Sequence, residues 1–161
     1  MTSAAFTVRV ASGEADMAAC FAVRTEVFVG EQSVPESIEY DAYDADAVHV
    51  LALGPDGVAL GTGRLLHGPA ARAKTGDPAV GSLGRLAVRK AARGLGVGAA
   101  LVRAIEAEAV RLGLTAVDLG AQTQALGFYE RLGYAAYGPE FQDAGIAHRA
   151  MRRPLAGSPG H

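Results

Sequence analysis

The chain has 161 residues, half of them apolar and a fifth charged, with 15 basic against 17 acidic side chains and a net charge of −2. Size and composition predict a single domain over residues 1–155 with one sizeable core. The near balance of charge argues against general attraction to nucleic acid or to an anionic membrane. A lone cysteine, Cys20, excludes an internal disulfide. No apolar run reaches the ~18 residues of a membrane span, and Met1 to Phe6 lacks the basic-then-apolar pattern of a secretory signal. A reducing, cytoplasmic setting is expected.

Phe6 to Val10 alternates as Phe-Thr-Val-Arg-Val, the pattern of a half-buried strand. Ser12 and Asp16 are both suitable N-caps for a helix over Met17 to Phe28, which carries one apolar stripe. Cys20 falls on that stripe and reads as a buried, inert thiol. From Glu31 to Asp46 the chain has six carboxylates (Glu31, Glu36, Glu39, Asp41, Asp44 and Asp46) and no basic residue, with Pro35, Tyr40 and Tyr43 interleaved. This stretch is either a solvated acidic loop or the acidic wall of a pocket that attracts an amine.

His49 to Leu53 predicts a short strand, Gly54-Pro-Asp-Gly57 a turn, and Val58 to Leu66 the second arm of a hairpin. Gly61 and Gly63 mark weak points or a bulge in that arm. Gly68 to Val80, with Pro69, Gly76 and Pro78, reads as a surface loop. Leu83 to Val88 is an apolar strand, Arg89 to Arg93 a basic turn, and Gly94, Gly96 and Gly98 follow at alternate positions. A helix starts at once and runs to about Leu112. Leu101, Val102, Ile105, Ala109 and Leu112 share its inner face, and Arg103, Glu106 and Glu108 its outer face. Gly113 is the expected C-cap, and Ala116 to Leu119 another strand. Leu83 to Leu119 is therefore a strand-helix-strand unit with parallel strands. Thr123 caps a short helix that Gly133 ends, with Phe128 and Leu132 spaced to pack inward and Tyr129 free to differ from them. Strands are expected over Tyr134 to Tyr137 and Ala147 to Arg152, with a loop between. Residues 156–161 form a Gly/Pro/Ser tail.

Strand, glycine turn and helix together make an anion site. Glycines let backbone N–H groups approach a ligand, the helix start carries unpaired N–H groups and partial positive charge, and Arg93 adds a full charge. A phosphate or pyrophosphate is the natural guest. No Lys-Ser or Lys-Thr follows the glycines, so this is not a P-loop. The dinucleotide pattern Gly-x-Gly-x-x-Gly fails by one residue, although Asp118 stands about 20 residues further on, as that pattern requires. One cysteine and four scattered histidines give no zinc-ligand spacing. No Gly-x-Ser-x-Gly elbow is present.

Arg93-Gly-Leu-Gly96-Val-Gly98 resembles the acyl-coenzyme-A loop of the GNAT N-acetyltransferases, Arg/Gln-x-x-Gly-x-Gly/Ala. About 30 residues on, Phe128-Tyr-Glu-Arg-Leu-Gly-Tyr134 is similar to the second signature of that superfamily, with Gln122 where it often has Asn. Val27-Phe-Val-Gly-Glu31-Gln32-x-x-Pro35, Asp41-x-x-Asp44, Ala47-Val-His49-Val and Gly145-Ile-x-His148-x-x-Met151 resemble its ElaA-like branch.

The resemblance implies an α/β (α+β) fold with a mixed, mostly antiparallel sheet, splayed after strand 4 and flanked by helices. It implies acetyl transfer from acetyl-CoA to an amine by direct attack on the thioester, with no metal. Backbone groups of Leu86, Ala87 and Val88 would hold pantetheine. Arg93, Gly94, Leu95, Gly96, Val97, Gly98 and Ala99 would hold the pyrophosphate, with Gln122 also on the cofactor. Tyr129 matches the family's general acid. Many relatives carry a carboxylate on strand 4, where this chain has Gly84-Arg85, so the base must come from elsewhere. Glu31 is the first choice, with Asp41, Asp44, His49 and His148 as further candidates. The acceptor expected is a small cationic amine or a lysine-like amine, and the strands of such folds can pair in a homodimer. Two other functions fit parts of the chain: a non-catalytic acyl-CoA-binding module and a nucleotide-binding α/β domain.

Overall fold

The computed structural model describes residues 6–35 and 41–155. The expectations for Glu36, Glu39, Tyr40 and the tail 156–161 lie outside the described residues. Seven strands form one sheet: β1 (Thr7–Val10), β2 (Val48–Leu53), β3 (Ala59–Leu66), β4 (Val80–Val88), β5 (Ala116–Gln122), β6 (Ala135–Asp143) and β7 (Ile146–Pro154). Their order is β1-β2-β3-β4-β5-β7-β6. β1–β2, β5–β7 and β6–β7 pair antiparallel, and β4–β5 pair parallel, as the strand-helix-strand reading requires. The helices are α1 (Gly13–Arg24), α2 (Pro69–Thr75), α3 (Val97–Arg111) and α4 (Leu126–Arg131). This is the mixed, mostly antiparallel α/β architecture that the family resemblance implies. Among the described residues, no helix is long and apolar enough to cross a membrane.

The chain divides into two compact units, Met1–Arg64 with Arg85–Ile105, and Leu65–Gly84 with Glu106–His161. In the first unit, Ser12 is the N-cap of α1, and its backbone N–H donates to Asp16 at 2.9 Å. The helix continues as a π-helical segment, Thr25–Glu31, which carries Glu31 to its end. Cys20, Val23, Val50, Leu51, Leu101, Val102 and Ile105 are fully buried. The glycines of β3 meet a packing requirement. A Cβ on Gly61 would stand 2.9 Å from Ala87 O and 3.0 Å from Leu101 Cδ1, and one on Gly63 would stand 2.8 Å from Ile105 Cδ1. Only glycine lets β3 meet β4 and the start of α3 this closely.

In the second unit, the stretch after β3 is a helix rather than the loop expected. Pro69 occupies its first turn, and Gly76 closes it at φ +81°. Residues that suggest a loop each stand where a helix boundary favours them. β4 starts earlier than expected, at Val80, and pairs with β5 from Val80↔Ala116 to Leu83↔Leu119. β6 and β7 form one long hairpin with an irregularity between Tyr137 and Phe141, so most of the loop expected at 138–145 is strand. Glu106, expected on the outer face of α3, is buried. It accepts from Tyr134 Oη at 2.8 Å and lies 3.1 Å from Arg153 Nη1. Leu112, expected inside, is 37 % exposed.

Candidate active site

The glycine loop lies in the first unit. β4 ends at Val88, a short 3-10 turn spans Lys90–Ala92, and α3 begins at Val97. Gly94 and Gly96 have φ of +84° and +85°, a conformation that any Cβ would strain, and a Cβ at either would meet open space. The loop is therefore glycine-rich for its backbone shape, with room beside it. Ala100 donates to Gly96 O at 3.1 Å, so the N–H groups of Val97, Gly98 and Ala99 precede this bond at the helix start. Leu95 is 58 % exposed, while Val97 is buried and anchors the helix. A diphosphate fits such a cradle: backbone donors, a helix N-terminus and a neighbouring arginine.

Arg93 is turned back along the strand. Its Nε donates to Val88 O at 3.0 Å, and its Nη2 donates to Glu31 Oε1 at 2.8 Å. Arg89 donates its backbone N–H to Leu60 O of β3. Backbone polar groups point to opposite edges at successive strand residues. Those of Val88 therefore point away from β3, and those of Leu86 do likewise.

The acid pair Asp41 and Asp44 is gathered by three arginines. Arg24, fully buried, donates Nη1 to Asp44 Oδ1 at 2.7 Å and Nη2 to Oδ2 at 3.1 Å. Arg64, also buried, donates to Asp41 Oδ1 at 2.7 Å and Asp44 Oδ1 at 2.9 Å. Arg85, at φ +50° on β4, reaches Asp41 Oδ2 at 3.2 Å. Asp41 N-caps the Ala42–Ala45 turn, and its own backbone N–H donates to Asp44 Oδ2 at 3.2 Å. Burial acts to raise the Asp44 carboxyl, but Arg24 and Arg64 outweigh it and hold the pKa at about 2. These two carboxylates are thus matched by ion pairs and are not a bare acidic wall. His49 Nε2 sits 3.0 Å from Asp44 O, and burial lowers the pKa of its ring. Sequence reasoning missed Arg24, Arg64 and Arg85 as partners, because they stand on three separate elements. Cys20 is buried, and burial raises its thiol pKa, which fits an inert role.

In the second unit, Tyr129 is the buried residue of α4, while Phe128 and Leu132 are only partly covered. Its ring meets Phe128 and Tyr134 edge-on at 4.9 and 5.9 Å. Burial raises the Tyr129 phenol above its ordinary value. Gln122 ends β5 opposite His148 of β7. His148 Nδ1 lies 2.7 Å from Ile146 O, and its ring stacks on Phe141. Asp118, which the dinucleotide pattern would need, is engaged by Tyr137 Oη and by Arg152 Nε at 2.9 Å. Among the described residues, no group of three or more His, Cys, Asp or Glu side chains is placed to hold a metal.

Residues 11–155 match the model of the Acetyltransferase (GNAT) domain. The chain belongs to the GNAT acetyltransferases. YjcF of Bacillus subtilis, described as an uncharacterized N-acetyltransferase, is 36 % identical over 146 residues, covering 89 % of this chain and 96 % of YjcF. An acyl-CoA N-acyltransferase from Pseudomonas aeruginosa, solved as a crystal structure, is 33 % identical with a TM-score of 0.76, covering 92 % of this chain and 97 % of its own. ElaA of Escherichia coli, 24 % identical with a TM-score of 0.78 over 92 % of this chain and 99 % of its own, shares the fold. This GNAT chain is therefore an acyltransferase by family, and the family uses acyl-CoA with amine acceptors.

Proposed function

We propose that this GNAT protein transfers an acetyl group from acetyl-CoA to a small or lysine-like primary amine, by direct attack of the amine on the thioester. The observation that carries this reading is the loop Arg93 to Val97, a positive-φ glycine cradle at the start of α3 beside a strand with outward-facing polar groups. Acetyl-CoA supplies the activated acyl group when bound. Val97, Gly98 and Ala99 present N–H groups to the pyrophosphate, with Gly94, Leu95 and Gly96 shaping the approach and Arg93 adding charge. Leu86 and Val88, whose backbone groups face away from β3, offer them to the pantetheine amides, and a backbone N–H there polarises the thioester carbonyl. Gln122 is assigned to the cofactor on its place in the family motif.

Tyr129 holds a proton at Oη and gives it to the departing sulfur. Its raised pKa keeps the phenol protonated throughout the neutral range. Glu31, exposed at the end of the π-helical segment, receives the proton of the attacking amine. Asp41 and Asp44 do not add to recognition of a cationic acceptor, since their charge is already matched by Arg24, Arg64 and Arg85.

The test is a thermal shift with acetyl-CoA, coenzyme A, NAD and ATP in parallel, followed by an amine screen read by free-thiol release. Saturation at 100 times Kd adds about 2.7 kcal/mol, well above detection. A shift with acetyl-CoA and coenzyme A alone, and thiol release with an amine, is the expected result. A shift with NAD or ATP alone would overturn it.

A further inference from the structure

We propose that Arg93 is a latch that the pyrophosphate opens. The inference rests on the acetyl-CoA reading above. In this structure one guanidinium covers two groups that a bound donor would use: the Val88 carbonyl, 3.0 Å from Nε, and the Glu31 carboxylate, 2.8 Å from Nη2. The first is an acceptor for pantetheine, and the second is the proposed base. Arg93 itself immediately precedes the glycine cradle.

The contact is suited to opening. Its side chains are 44 % and 34 % exposed, and an ion pair so open to water contributes little. A diphosphate seated on the N-terminus of α3 is a stronger partner for the same guanidinium. A ligand shifts such an equilibrium by its differential affinity for the two states. The diphosphate favours the open one, in which Arg93 leaves Val88 O and Glu31 for the phosphate oxygens. Pantetheine lacks the diphosphate and cannot draw the latch, so it must compete with Arg93 for Val88 O. Glu31 is thereby freed to accept a proton only after the nucleotide end of the donor has docked.

Affinities for coenzyme A and for pantetheine, measured by calorimetry on the parent, Arg93→Ala and Glu31→Gln, test the latch. Arg93→Ala should weaken coenzyme A and tighten pantetheine by about two- to five-fold, opposite signs from one substitution. Glu31→Gln should tighten coenzyme A by about two- to five-fold, the range an exposed ion pair supports. A purely structural Arg93 would move both ligands the same way, and that result, or an unchanged coenzyme A affinity in Glu31→Gln, overturns the proposal. If the parent binds neither ligand, the acetyl-CoA reading fails. If it binds coenzyme A without the opposite signs, the latch alone fails.

Discussion

Arg24 grips Asp44 through two hydrogen bonds of 2.7 and 3.1 Å, one to each carboxylate oxygen, and its side chain is 1 % exposed. The pair joins the last turn of α1 to the 3-10 turn before β2. With Arg64 on the same carboxylate, it holds the Asp44 pKa at about 2 against an unfolded value near 3.8.

Acid stability follows from that depression. A carboxyl lowered in the folded state stabilises the fold above its unfolded pKa, and the contribution vanishes as pH falls through the folded pKa. Urea denaturation should therefore show a loss of about 2 kcal/mol from Asp44 between pH 4 and 2. His49, whose imidazolium is disfavoured by burial, adds an earlier decline that begins as pH drops below 6.5. Asp44→Asn should lower stability at pH 7 and flatten the pH 4 to 2 window; a parent-like slope in the variant would contradict the assignment.

Tyr129 should matter for turnover and little for donor binding. Tyr129→Phe removes one hydroxyl from a buried ring. We expect kcat to fall by about 10²-fold or more, with the affinity for coenzyme A nearly unchanged. Because burial raises the phenol pKa, the parent pH–rate profile should have no descending limb from this group below about pH 10. Full activity in the variant would remove Tyr129 as the acid.

Gly61 has no room for a methyl group. Gly61→Ala would place a Cβ 2.9 Å from Ala87 O, a backbone atom, and the strand or helix must move to relieve it. A loss of about 1–3 kcal/mol in unfolding free energy is expected, together with weaker coenzyme A binding, since the displaced segments carry Ala87 and the start of α3. An unchanged melting temperature would show that the contact relaxes freely.

Tyr134 and Glu106 form a second polar tie inside the other unit. Tyr134→Phe removes the 2.8 Å hydrogen bond to a buried carboxylate and should cost about 1–2 kcal/mol. Activity per folded molecule should be retained, which separates this tyrosine from Tyr129; a stability equal to the parent would show that Arg153 alone satisfies Glu106.

The elements readable in the sequence were those with local signals. Period-two alternation placed β1, helical spacing placed α3, and Gly113 and Gly133 marked chain reversals at φ +79° and +100°. α2 escaped because Pro69 and Gly76 are ambiguous singly and become helix signals only as a pair at the right separation. Glu106 reads as an outer-face residue in the sequence because a helical wheel does not show what the neighbouring strands bring. Asp41 and Asp44 read as free acid because their partners lie 20 to 44 residues away along the chain.

The sequence by itself determined the order of the strands, three of the four helices, the glycine cradle before α3 and the family to which its motifs belong. Each of these is a matter of residue type and spacing within about a dozen residues. Tertiary structure decided which charges are spent. It placed Arg24, Arg64 and Arg85 on two carboxylates, closed Glu106 against Tyr134, and laid Arg93 across Val88 and Glu31. An ion pair needs two groups within about 4 Å, and no local spacing sets a distance between residues on separate elements.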